Sequence, residues 1–244
     1  SGLTPQNRLS AASTSHSATS AASVDLRPNE EESLNGLISA LVHQKQLVRR
    51  KEDNTGAMLI HALLVANNDE SLRLVLSILE RRPRLLLTVH GSKGDFHGEG
   101  PLHILAANER KEMLEEVLRL ANKRLSTSEF QKMLSQSAVG SFFEDAPMCN
   151  FGITPIAYFA SFKQKDALML LFGDPANADP ELKQGLLTDS DKDLLINERL
   201  AFGLTDLSKF PRINRYSPLH AVVALGDTEM FDVLVKHCNA KVEP

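Results

Sequence analysis

The sequence predicts an all-α protein built as a linear stack of helix pairs, and three observations predict it. Apolar residues make up 42% of the 244 positions, yet there is no Trp and only two Tyr, while Leu and Ala recur throughout. Strands draw on β-branched and aromatic side chains, so this balance favours helix. A short apolar opening of similar wording returns four times along the chain. Each opening is then followed by a second stretch whose large apolar residues recur at the 3.6-residue period of an amphipathic helix.

Residues 1–30 are rich in Ser, Thr and Ala and carry almost no large apolar side chain. Such a segment buries too little to offset its ordering entropy, and a disordered tail is expected. Its Ser-rich, acid-poor character, with Arg8 and Arg27, also fits an organelle transit peptide. The domain proper is expected over 31–244. Leu34, Leu37, Ile38, Leu41 and Val42 recur at helical spacing behind Glu31 and Glu32, two acids well placed for a helix N-terminus.

The four openings follow. Met58-Leu59-Ile60-His61-Ala62-Leu63 comes first, then Gly100-Pro101-Leu102-His103-Ile104-Leu105-Ala106. Thr154-Pro155-Ile156-Ala157-Tyr158-Phe159-Ala160 and Ser217-Pro218-Leu219-His220-Ala221-Val222 complete the set. Pro suits the first helical position because its missing N–H would have no partner there, and Thr154 and Ser217 are good N-caps. The second helices are expected at 71–80, 112–120, 166–172 and 228–237. A short helix, a turn and a longer helix under a T-P-L-H-x-A signature is the ankyrin pattern. The expected fold is therefore an ankyrin-repeat solenoid of about five helix pairs, with repeats near 33–50, 59–83, 101–122, 155–173 and 218–240.

The spacing departs from the roughly 33 residues of an ordinary ankyrin repeat. Ile60, Leu102, Ile156 and Leu219 fall at equivalent places but lie far enough apart to require long finger loops at 88–98, 125–151 and 173–215. The last is expected to hold a short helix at 193–200. Loops this long in a compact domain are usually functional.

These residues resemble a known family. Thr55-Gly56 leading into Leu59-Ile60-His61-Ala62-Leu63-Leu64 is similar to the second repeat of the cytosolic amino-terminal ankyrin domain of vanilloid-type transient receptor potential channels. Asp95-Phe96-His97-Gly98-Glu99-Gly100-Pro101 is similar to that family's third-repeat opening. Gly140-Ser141-Phe142-Phe143, then Cys149-Asn150-Phe151-Gly152 running into Thr154-Pro155-Ile156, resembles its long finger and fourth repeat. Leu219-His220-Ala221-Val222-Val223 with Met230-Phe231 matches the fifth. The resemblance covers roughly residues 33–240. It implies a regulatory and assembly domain of a tetrameric, calcium-permeable cation channel, cytosolic within a membrane-embedded parent. It implies protein partners: neighbouring subunits or cytosolic regulators, calmodulin among them. In some members lysines at the second repeat are thought to hold ATP. The matching positions here are Ala57, His61 and Val65, which deprive a triphosphate of its main electrostatic attraction. The alternative reading is a soluble ankyrin-repeat scaffold for a peptide or protein.

Candidate site residues divide into two groups. Phe142, Phe143, Phe151, His97 and Glu99 are expected at a partner surface. The three aromatics are more than a solvated connector needs, and either they pin the loop inward or they anchor an interface. Lys45, Arg49, Arg50 and Lys51 form one basic cluster, and Arg81, Arg82 and Arg84 another. Basic residues suit the last turn of a helix, so these complement helix dipoles or else face an anionic ligand or lipid surface. Lys209, Arg212 and Arg215 join that patch if the third loop folds back.

Catalysis, cofactors and metals are not expected. His61, His103 and His220 sit at the signature position, where an imidazole bonds the turn of its own or the next repeat. No H-x-x-x-H or Cys–His cluster has zinc spacing. The glycines of 91–100 lack G-K-[ST] and a preceding strand, so they read as a turn and not a phosphate loop. Cys149 and Cys238 form no CxxC pair and read as reduced thiols. The net charge of −4 gives no reason to expect nucleic acid.

Overall fold

The computed structural model describes residues 36, 39–40, 50–53, 56–91, 95–140, 152–197 and 217–242. Among them the structure is helical, relieved only by an isolated antiparallel bridge between Ala138 and Ile153. The helices are α1 (Leu59–Ala66), α2 (Asp69–Arg81), α3 (Pro101–Ala107), α4 (Lys111–Arg124), α5 (Thr127–Leu134) and α6 (Pro155–Ser161). They continue with α7 (Lys165–Phe172), α8 (Pro180–Gln184), α9 (Asp189–Asn197), α10 (Pro218–Leu225) and α11 (Thr228–Lys236). A 3-10 turn, Pro83–Leu87, follows α2.

Four helix pairs recur among the described residues: α1–α2, α3–α4, α6–α7 and α10–α11. Each opens as its local chemistry dictates. Pro is the first helical residue of α3, α6 and α10, and the Thr154 hydroxyl accepts from the Ala157 N–H. The second helices have their own caps. Asn68 accepts from Ser71 N–H at 2.8 Å while the Ser71 hydroxyl accepts from Asn68 N–H. Asp227 accepts from Met230 N–H at 3.0 Å.

The turn inside every pair has the same backbone. Asn67, Glu109, Lys163 and Gly226 all take positive φ, between 49° and 68°. Beyond the first, each donates its N–H to the equivalent carbonyl three residues back: Ala106, Ala160 and Val223. Ile60, Leu102, Ile156 and Leu219 are each the second residue of their helix, and all are buried. The equivalence read from sequence thus holds residue by residue in the backbone.

The pairs stack in chain order. The first helices form one row, with α1 on α3, α3 on α6, and α6 on α10. The second helices form another, with α2 on α4 and α4 on α7. Amphipathic α2 and α4 bury Val75, Ile78 and Leu79, and Leu114, Val117 and Leu118, respectively, against this row. Every residue of α3 is buried, as is α6 from Pro155 to Ala160, because each lies between neighbours on both sides. A helix apolar all round needs such complete cover.

Polar bonds seal the joints. Asn108 donates to the Leu64 carbonyl at 2.7 Å, Arg110 holds the Asn67 carbonyl at 2.9 Å, and buried Gln164 donates to the Ala106 carbonyl at 3.1 Å. Each bonds a carbonyl at the end of the preceding pair's first helix, where the intrahelical ladder runs out.

The long loops are more structured than the sequence reading allowed. Residues 125–151 contain α5, which buries Phe130, Met133 and Leu134. Residues 173–215 contain α8 and α9, and α9, described over Asp189–Asn197, begins four residues before the expected 193. Successive loops also stack: the His97 carbonyl accepts from Val139 and Gly140 N–H at 2.8 and 3.0 Å. A Cβ on Gly140 would meet the Asp95 carbonyl oxygen at 2.0 Å, so only glycine permits this approach.

Candidate functional site

The signature histidines are joints of the scaffold. In α1, α3 and α10 the Nδ1 of His61, His103 and His220 accepts the N–H of Met58, Gly100 and Ser217, three residues earlier. Each satisfies one of the orphan donors at a helix start. His103 goes further, its Nε2 bonding the Ile153 carbonyl at 3.0 Å, 50 residues away. With Nδ1 accepting, Nε2 carries the proton and the ring is neutral. Burial lowers the His103 pKa to about 4, against a small opposing pull from Ile153. His61 is lowered to about 3, first by burial and then by the neighbouring His90.

Beneath the first described loop lies a buried polar cluster. The His61 and His90 rings stack with centroids 4.4 Å apart, and Phe96 lies 6.0 Å beyond His90. Glu99 reaches His90 Nε2 at 3.7 Å, and its side chain is fully buried. The backbone closes the same loop, with His90 N–H donating to the Glu99 carbonyl at 2.9 Å. Glu99, expected at a partner surface, is therefore an interior residue. Neither the burial of Glu99 nor its His90 partner is legible in the local D-F-H-G-E pattern. His97 is half-buried, and its carbonyl, not its ring, makes the loop-to-loop bonds.

The basic residues do not form one patch. Arg50 and Lys51 line a cavity of about 440 Å³ together with Glu52 and Asp53, so its walls are balanced in charge. Arg81 and Arg82 line a separate cavity of about 570 Å³ at the C-terminal end of α2. Here they meet Arg84 from the 3-10 turn, which belongs to the same basic run in the sequence, and Arg124 from the last turn of α4, which the sequence does not place at the site. Met58, Pro83 and Leu85 supply the apolar floor. Glu129 is the single acid in the wall.

That acid is committed elsewhere. Glu129 closes the α5 capping box, accepting the Ser126 N–H at 3.1 Å, and bonds Arg84 Nε at 2.8 Å. The Ser126 backbone bond, more than the arginine, lowers its pKa and keeps it ionised. Arg81 and Arg124 are exposed and make no ion pair among the described residues.

Phe142, Phe143, Phe151, Arg49, Cys149, Lys209, Arg212 and Arg215 lie outside the described residues, as do the 1–30 tail and most of the expected first repeat. Among the described residues no group of three or more His, Cys, Asp or Glu is placed to hold a metal ion, and no helix is long and apolar enough to cross a membrane. Cys238 is buried, and burial pushes its thiol up to about 12, which leaves it inert as a nucleophile. No protein-family model matches the chain, and no curated protein matches it significantly.

Proposed function

We propose that the chain is an ankyrin-repeat interaction domain that acts by binding and not by catalysis. The observation that carries this reading is the fourfold return of one helix pair, with the same positive-φ turn at Asn67, Glu109, Lys163 and Gly226 and the same opening at Ile60, Leu102, Ile156 and Leu219. Repeat stacks of this kind present loop tips and an extended face to partners while adjacent units bury each other's apolar sides. The histidines that could have served chemistry at the openings are spent on helix starts.

Within that class we propose the regulatory and assembly domain of a vanilloid-type transient receptor potential cation channel, contacting neighbouring subunits. The support is the motif resemblance, above all Gly140-Ser141-Phe142-Phe143 and Phe151-Gly152 bracketing the second long loop. A free-standing scaffold is the second reading, favoured by the half-exposed Val223 and Leu225 on α10, which offer apolar surface to a partner. The sequence of the whole transcript tests the two. Six apolar segments of about 20 residues each support the channel; a polar downstream domain without them refutes it and leaves the scaffold. Phe143→Ala in the full chain then checks the finger: weakened subunit assembly with an unchanged thermal midpoint is expected, and a midpoint lower by many degrees would make the ring a core residue.

A further inference from the structure

The arginine-lined cavity at the end of α2 has more positive charge than its surroundings need. Lining it are Arg81, Arg82, Arg84 and Arg124, against the lone acid Glu129. The expected structural reason for arginines here is compensation of helix dipoles, since α2 and α4 both end at this cavity. Each helix C-terminus carries about half a negative charge, so two ends ask for about one cation. Glu129 asks for one more, and Arg84 supplies it at 2.8 Å. Arg82, at the C-cap of α2 and itself engaged, is counted toward the helix ends, which leaves the two charges of Arg81 and Arg124 in a chain whose net charge is −4.

A surplus of that size matches a phosphomonoester, which carries about −1.5 to −2 near neutral pH. The guanidinium fork suits phosphate oxygens bidentately, and its weak hydration makes it the cation best used in a partly enclosed site. The cavity volume of about 570 Å³ exceeds what a bare phosphate fills and falls in the ordinary range for small-molecule sites. Met58, Pro83 and Leu85 give the excess volume an apolar lining. Arg84, largely exposed, is tied to Glu129 at the rim, while the exposed Arg81 and Arg124 approach from the ends of two different helices.

We propose that this cavity is a binding site for an organic phosphomonoester, with Arg81 and Arg124 gripping the dianion and Met58, Pro83 and Leu85 receiving the organic part. The site is independent of the channel reading, since it needs only the first two helix pairs and α5. A soluble phosphate ester and a membrane phosphomonoester lipid share this chemistry, and the probes separate them.

The test is isothermal titration calorimetry of the whole chain with phenyl phosphate, and with phenyl sulfonate as a singly charged comparator of the same shape. Phenyl phosphate is expected to bind one to one, at least tenfold tighter than the sulfonate. The paired substitution Arg81→Gln with Arg124→Gln is expected to weaken it at least tenfold. Arg119→Gln, an equally basic position on α4 that pairs with Glu181, is expected to change nothing. Co-sedimentation with phosphatidylcholine vesicles carrying phosphatidic acid, against vesicles carrying phosphatidylserine, reports the source. Selective capture by phosphatidic acid assigns a membrane ligand, and absence of capture beside phenyl phosphate binding assigns a soluble one. The proposal is overturned if neither probe binds, if the sulfonate binds equally well, or if the paired variant keeps its affinity while its circular dichroism is unchanged.

Discussion

Acidification from pH 7 to pH 5 should weaken this fold far more than the carboxylates alone would allow. His61 and His103 are buried, with pKa values lowered to about 3 and about 4, against an ordinary 6.5. Between those values the unfolded chain binds protons that the folded chain refuses, so stability rises with pH across that window and falls on acidification. At pH 5 each ring lies about 1.5 units below its unfolded pKa, and at about 1.4 kcal/mol per unit costs about 2 kcal/mol. Together the two remove about 4 kcal/mol from a domain whose whole stability is on the order of 5–15 kcal/mol. For a chain of this length the melting temperature should drop by about 8–16 °C. His103 has a clear structural reason: protonating Nδ1 would turn the acceptor of the Gly100 N–H into a second donor. His61 is set among His90, Glu99 and Lys51, and His90 and Lys51 both oppose its charging.

Urea titrations followed by circular dichroism at pH 7, 6 and 5 measure this. Glu129, Asp193 and Asp227 have lowered pKa values, so their contributions are lost only below the ordinary carboxylate range and do not enter the window. His103→Gln should be less stable at pH 7 but should lose about half of the pH dependence between 7 and 5. A stability that is flat to within about 1 kcal/mol, or a slope unchanged in the His103 variant, would refute the neutral, buried assignment.

Three further outcomes are expected from the same measurement. Glu109→Gly should stabilise by about 0.5–1 kcal/mol, because Glu109 is exposed and holds φ 57° where glycine pays no Cβ penalty. Leu105→Ala should cost about 2–5 kcal/mol, since Leu105 is fully buried in the central row with neighbours on both sides. Gln164→Ala should cost about 0.5–1.5 kcal/mol, because one buried bond at 3.1 Å is lost while the Ala106 carbonyl keeps the Glu109 N–H.

Much of the helical architecture was legible because its signals are local. Pro at the first helical position and apolar residues at helical spacing placed α3, α6, α10 and their partner helices to within three or four residues. Of the finger helices α5 and α8 were not read, although α5 carried its own signature: Ser126 and Glu129 form a capping box ahead of Phe130, Met133 and Leu134. The helix expected at 193–200 begins earlier because Thr188 caps it, its hydroxyl accepting from Asp191 N–H at 3.3 Å. Only one of the four in-pair turns is announced by glycine, at 226; Glu109 and Lys163 adopt the same φ because tertiary stacking overrides their local preference. The site was half legible. Arg81 and Arg82 stand out as a run at a helix end, whereas Arg124 is 42 residues from Arg82 and meets it only because α4 packs on α2.

The most direct test is a backbone comparison of the four openings and their turns, by crystallography or by chemical-shift-derived dihedral angles in solution. The account predicts positive φ at Asn67, Glu109, Lys163 and Gly226, and Ile60, Leu102, Ile156 and Leu219 each buried at the second position of a helix. Right-handed φ at Glu109 and Lys163, or an exposed Ile156, would mean that the pairs are not copies of one unit, and the stack would have to be abandoned.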